Sequence, residues 1–166
     1  MLFTAAILFA VQCGEKTGFE KDLEVKPSLI PSAGKGLFTK VRIPKGSYLG
    51  HYTGRFITDK EHDRLFKEDK WHYVMGLLDC AAKNSGGYTL IDGVNGNIFS
   101  RLNHAPKEFQ NVRFLKICEY PYVKIIALRD IEPGEELYVD YGPDYIYDFM
   151  EIKEVKDFFK NKSRGR

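Results

Sequence analysis

The chain has 166 residues, of which 43% are hydrophobic and 29% charged, with a formal net charge of +2. That length fits one domain with a short extension at each end, able to bury a core without metal or disulfide staples. The near-balanced charge excludes a surface built to track phosphates, so no direct nucleic-acid partner is expected, and the basic stretch 160–166 reads as a solvated terminus.

Cys13, Cys80 and Cys118 are widely spaced. They offer neither a disulfide framework nor a metal-ligand pattern, so no metal and a reducing compartment are expected. Residues 2–11 are apolar but too short to span a bilayer. They have the length of a signal-peptide core, with the small residues Ala10, Cys13 and Gly14 following, yet no Lys or Arg precedes them. A signal peptide, an element packed on the domain and a misplaced gene start are all open readings.

Residues 15–22 are mostly polar, with Gly18 in their middle, and read as a linker. Leu23, Glu24 and Val25 begin the domain, and Pro27 and Pro31 keep the chain extended. Residues 32–36 form a loop with two glycines. Leu37, Phe38 and residues 41–43 predict a strand before a Pro44-Lys45-Gly46 turn. Residues 48–58 predict a longer strand, in which Gly50 and Gly54 mark weakness or close backbone approach. Residues 59–69 predict a short exposed helix or loop, 71–78 a strand, 80–87 a turn and 88–91 another strand.

Residues 112–119 and 123–129 predict a hairpin around Tyr120, Pro121 and Tyr122. Pro133 and Gly134 turn the chain into Glu135, Glu136, Leu137, Tyr138 and Val139, a strand that closes at Asp140, Tyr141 and Gly142. Residues 144–160 place Ile146, Phe149, Met150, Val155, Phe158 and Phe159 at helical spacing, with Pro143 near the first turn. Many short strands joined by Gly/Pro turns predict a mainly β domain with a C-terminal α-helix.

Gly34-Lys35-Gly36 is not a phosphate cradle, because it lacks both a third dinucleotide-type glycine and a P-loop ending. Two glycines astride one residue do let main-chain groups reach a ligand. Asn103 offers a donor and an acceptor in one side chain. His104 has no Ser or Cys partner for a nucleophilic triad. A tyrosine such as Tyr141, at a strand end before a glycine, can present its hydroxyl in a cleft.

The order of Ala33, Gly34, Lys35, Gly36, Leu37 and Phe38, then Tyr52-Thr53-Gly54, Asp92-Gly93, Gly96-Asn97, Arg101-Leu102-Asn103-His104 and Asn111, then residues 134–142, resembles the SET domain of protein-lysine methyltransferases. The resemblance covers residues 23–142, leaving 1–22 as an apolar extension and linker and 143–166 as a helix and basic tail. Residues 28–41 and 52–58 are most similar to the histone H3 lysine-4 type without a zinc-bearing tail.

The resemblance implies a β-clip with a pseudoknot, in which the segment 101–111 is threaded by the chain near Tyr141. It implies S-adenosyl-L-methionine held by Ala33, Gly34, Lys35, Gly36, Asn103 and His104. Tyr141 and Tyr52 would be catalytic, and Tyr73, Phe114, Val139 and Tyr138 would line a lysine channel. Residues 105–111 depart from the family's usual Ser-Cys-x-Pro-Asn, and Val139 stands at a position that helps set how many methyl groups are added. The helix after Tyr145 would cover the channel in place of a zinc-bearing tail. The implied function is methylation of a protein lysine, with a histone H3 tail as the default partner, in the nucleus or on chromatin. The alternatives are an inert SET-like peptide-binding module and an exported methyltransferase acting on another organism's proteins.

Overall fold

The structure is a computed structural model that describes residues 18–142 and 148–164. The apolar stretch 1–13 and the expected helix start around Pro143 lie outside those residues. Among the described residues, ten strands form four small sheets and three α-helices sit around them. No helix there is long and apolar enough to cross a membrane.

Strands β1 (Leu23–Pro27) and β2 (Lys35–Thr39) pair antiparallel, from Leu23 opposite Thr39 to Pro27 opposite Lys35. The loop between them turns through Ser32 and Gly34, both at positive φ (64° and 71°). The stretch expected as one strand over 48–58 is two. Strand β3 (Tyr48–His51) belongs to one sheet and β4 (Arg55–Ile57) to another. Asn97 explains the break. Its amide donates to the His51 carbonyl at 2.8 Å and accepts from the Thr53 N–H, replacing the partner strand. Gly54 then passes so close to Asp92 that a Cβ would lie 2.2 Å from the Asp92 carbonyl oxygen.

Strand β4 pairs with β6 (Leu90–Asp92), which pairs with β5 (Val74–Gly76). Helix α1 (Asp59–Lys67) precedes β5, with acids in its first turn and bases in its last, matching the helix dipole. Only Leu65 of this helix is buried, as its charged composition suggests. Residues 79–84, expected as part of a turn, form a short helix α2 (Asp79–Asn84) that buries Ala81 and runs out into Gly86 and Gly87, both at positive φ.

The expected hairpin is β8 (Val112–Lys116) and β9 (Val123–Ala127), extended by β3 into a three-stranded sheet. Strands β7 (Asn103–His104) and β10 (Tyr138–Val139) are a two-residue parallel pair. The segment holding β10 is gripped from two sides. Ala105 N–H donates to the Val139 carbonyl, while Asn111 accepts from the Tyr138 N–H and donates to the Glu136 and Tyr138 carbonyls. Helix α3 (Lys153–Arg164) begins later than its apolar spacing predicted, after a single 3-10 turn (Asp148–Glu151). Val155 and Phe159, four residues apart on one face, pack with Ile30, Ala105, Phe109 and Tyr138 in a core separate from the main one around Leu37, Leu49, Phe99 and Ile125.

Two of the three cysteines are joined, against the expectation from their spacing. Cys80 on α2 and Cys118 after β8 form a disulfide across 38 residues, and Asn84 donates to the Cys118 carbonyl at 2.7 Å. Folding brings the two together, which linear spacing cannot show. With the disulfide, the ground for a reducing compartment is lost. Closing a loop of this size restricts the unfolded chain by about 3–4 kcal/mol. Cys80→Ser is therefore expected to lower the unfolding free energy in urea by about that amount, and wild-type protein in reductant should unfold at the same denaturant concentration as the variant.

Candidate active site

Site geometry begins at Glu136. Its carboxylate is buried and accepts from Ser28 Oγ and the Leu29 N–H, both at 2.7 Å, from the Tyr138 hydroxyl at 3.0 Å and from the Asn103 amide at 3.1 Å. Burying a carboxylate is tolerable only when donors replace its water, and here the β1–β2 loop, β7 and β10 supply them. Gly36 makes room for it, since a Cβ there would lie 2.1 Å from Glu136 Oε1. The Asn103 amide nitrogen is further engaged by the Lys35 carbonyl at 3.0 Å and by Ser28 Oγ, which leaves the amide oxygen as the group able to accept from a ligand.

Two cavities meet beside this anchor. The larger is an open cleft of about 580 Å³, bordered by residues 31–35, Arg101, Asn103, Phe149 and Ile152 among others. The smaller, about 40 Å³, lies among Tyr52, Met75, Phe99, Leu102 and Phe114. His72, Tyr73, Ser100 and Tyr141 border both. The small cavity has little more than the space of one water and admits only a thin chain.

The tyrosines around the small cavity are fixed by their own hydroxyls. Tyr52 donates to the Tyr73 carbonyl at 2.6 Å, and Tyr141 donates to the Leu102 carbonyl at 2.7 Å. The Tyr73 hydroxyl accepts from Arg101, whose guanidinium also lies 5.1 Å from the ring centre. Tyr52 and Phe114 meet edge to face at 6.0 Å. Burial, helped by the nearby Asp92 charge, pushes the Tyr52 phenol well above its ordinary value and keeps it protonated.

The structure brings Ala33, Gly34, Lys35 and Asn103 together on the cleft, and Tyr52, Tyr73, Phe114 and Tyr141 around the narrow cavity. Four expected site residues border neither. Gly36 lies beneath Glu136. His104 packs behind Tyr141, with ring centres 5.6 Å apart, and its Nδ1 accepts the Tyr141 N–H. Tyr138 turns its hydroxyl to Glu136 and its ring toward Phe159. Val139 is fully buried in the main core. In a strand, neighbouring side chains point to opposite faces, and because the segment is enclosed on both sides Tyr138 is buried in the core under α3 and Val139 in the main core.

His72, Ser100 and Arg101 were not singled out as site residues in the sequence. Only Arg101 carried a signal, standing two residues before Asn103. Phe149 and Ile152 place the C-terminal segment on the wide cleft; the expected lid over the narrow cavity is not where they lie.

This arrangement has relatives. The SET domain family model matches residues 34–142, and the chain belongs to that family. It is 27% identical over 136 residues to histone-lysine N-methyltransferase EZH2 of Chaetomium thermophilum, covering 77% of this chain and 9% of that protein. It is 32% identical over 120 residues to histone-lysine N-methyltransferase MEDEA of Arabidopsis thaliana, covering 68% of this chain and 16% of that protein. Among solved structures, an inhibitor-bound, humanised Chaetomium thermophilum polycomb repressive complex 2 superposes with a TM-score of 0.61 at 27% identity, over 74% of this chain and 15% of that one. The Neurospora SET domain protein DIM-5, a histone lysine methyltransferase, superposes with a TM-score of 0.58 at 23% identity, over 75% of this chain and 53% of that one, and bears on the fold alone. The chain thus spans a small part of the length of these curated relatives. The lean toward the histone H3 lysine-4 type gains no support from them.

Glu136→Ala strands two hydroxyls, a main-chain N–H and an amide in a buried place and is expected to cost about 2–4 kcal/mol. Glu136→Gln, which keeps the shape, should cost less in the same denaturation series. His104 supplies a pH test. Burial lowers its pKa, and Asp140 at 3.7 Å offsets part of that. The folded state therefore binds this proton less readily than the unfolded state. The stability involved is present above about pH 6.5 and is lost as pH falls through the folded-state value. The stability difference between wild type and His104→Gln should shrink as pH drops below about 6.5, as read by urea unfolding across pH.

Proposed function

We propose that this domain is an S-adenosyl-L-methionine-dependent protein-lysine N-methyltransferase, with a histone H3 tail as its substrate class and chromatin as its place of work. The observation that carries the reading is the meeting of a wide cleft and a narrow ring-walled cavity at Tyr73 and Tyr141. A cleft of about 580 Å³ is within the range of cofactor sites, roughly 300–1,000 Å³. Its donor set suits a nucleoside joined to an amino acid: main chain at residues 32–35, the free amide oxygen of Asn103, and the aromatic faces of Tyr73, Tyr141 and Phe149. Bound there, the cofactor supplies a methyl group on a positively charged sulfur.

The chain's own residues then have three tasks. The first is to take the acceptor lysine out of water. A lysine is almost wholly charged at pH 7, and removing its proton costs roughly 4–5 kcal/mol. The apolar part of the narrow cavity's wall, Phe99, Leu102, Met75 and Phe114, disfavours the charged form. The second task is orientation. The Tyr141 and Tyr52 hydroxyls each donate to a main-chain carbonyl, which fixes both oxygens at the cavity wall, where a phenol oxygen can accept an amine N–H and turn its lone pair toward the cleft. The third is alignment, because holding two reacting groups in line is worth several orders of magnitude in rate. The aromatic walls also suit the methylated, cationic product.

The exported alternative gains nothing from the relatives. The Cys80–Cys118 bond stands on its side, with the apolar stretch 2–11. Alkylating the thiols in intact cells before extraction separates the two locations, since a chromatin enzyme held in a reducing interior would show all three cysteines labelled.

The reading is tested by incubating the protein with labelled cofactor and core histones and mapping the modified peptide by mass. Tyr141→Phe is expected to lower turnover by about a hundredfold, with cofactor affinity nearly unchanged. Equal loss of both would assign Tyr141 a purely structural role, and no label on any histone would remove the histone substrate.

A further inference from the structure

A lysine that enters the narrow cavity as an ammonium ion has to shed a proton before its nitrogen can accept a methyl group. Four residues border both the cleft and the narrow cavity: His72, Tyr73, Ser100 and Tyr141. Of these residue types only histidine ordinarily takes up a proton near neutral pH.

His72 is also built to pass one on. Its side chain is 49% exposed, so it reaches bulk water as well as the site. Its Nε2 lies 3.2 Å from Asp69 Oδ1, on a carboxylate that is itself 84% exposed. The Trp71 ring lies alongside, with centres 5.1 Å apart and planes tilted by 32°, which limits how the imidazole can turn. Nε2 is the nitrogen on the Asp69 side, which leaves Nδ1 as the one assigned to a proton from inside.

Building on the methyltransferase reading above, we infer that His72 takes the proton of the bound lysine ammonium and releases it to solvent beside Asp69. In the step, one N–H bond of the ammonium breaks and its electron pair stays on the lysine nitrogen. The proton adds to Nδ1 of the neutral imidazole. The proton on Nε2, the nitrogen nearer Asp69, then leaves to water and the imidazole is neutral again. Nothing is oxidised or reduced.

Asp69, three residues before His72, is the acid beside the ring, and Arg101, from the 3-10 turn before β7, and Lys35, from β2, are cations that line the cleft. A cation formed on His72 is attracted outward by Asp69 and repelled by those two bases.

The test is a pH–rate profile on core histones with labelled cofactor, for wild type, His72→Gln and Asp69→Asn. Wild-type turnover comes first, and its absence counts against the methyltransferase reading alone. Given turnover, His72→Gln is expected to reduce kcat roughly 10- to 100-fold near pH 7, with cofactor Kd within about twofold of wild type. The deficit should close as pH approaches about 10, where free lysine arrives uncharged and needs no acceptor. Added imidazole should restore part of the neutral-pH rate, and Asp69→Asn should show a smaller deficit of the same shape. A loss that is equal at every pH, or no loss at all, overturns the inference.

Discussion

A single buried carboxylate holds the site's loops to one another. Glu136 gathers donors from Ser28 and Leu29 at one end of the described chain, from Asn103 in the middle and from Tyr138 beside it, across sequence separations of up to 108 residues. None of these partners is a cation. The charge is balanced by dipoles, which hold direction more strictly than a mobile lysine would. The loop that turns through Ser32 and Gly34 and the amide of Asn103 are thus placed relative to each other by the same two oxygen atoms. That is how a cleft made from two distant loops can have a fixed shape.

Around that anchor the fold divides its work between layers. The β1–β2 loop and the C-terminal segment shape the wide cleft. The narrow cavity is bounded by β5 from one sheet and Phe114 on β8 from another. The disulfide ties these two walls together a few residues beyond each, since Cys80 follows β5 and Cys118 follows β8. Tyrosine hydroxyls that donate to main-chain carbonyls pin the rings between the two spaces. The result is a junction whose dimensions depend on sheet packing and covalent bonding more than on side-chain rotamers.

What could be read in the chain beforehand follows from how local each signal is. The β8–β9 hairpin announces itself through alternating apolar residues around a Tyr-Pro-Tyr turn. The inward face of α3 is visible in the spacing of Val155 and Phe159, although its first turn is not. The glycine loop, Asn103 and the tyrosines of the narrow cavity were recognisable as a set of motifs in order. The break after His51 was not, because it depends on the amide of Asn97, 46 residues away. The disulfide and the burial of Tyr138 and Val139 were hidden for the same reason. A two-residue strand has no pattern of its own, and its orientation is decided by what surrounds it. His72 lies between a charged helix and a short strand, in a stretch whose composition reads only as surface.

The enclosed position of β10 bears on how the protein is made. Residues 103–111 leave the ribosome before the segment that fits between them. At about 5–20 residues per second, Val139 follows Asn111 by roughly 1–6 s. Through that interval the carbonyl and amide of Asn111 lack the main chain they later hold, and Leu102 and Ala105, almost fully buried at the end, face water. The segment holding β10 is thus inserted late, and until it arrives the nascent chain exposes a short apolar gap.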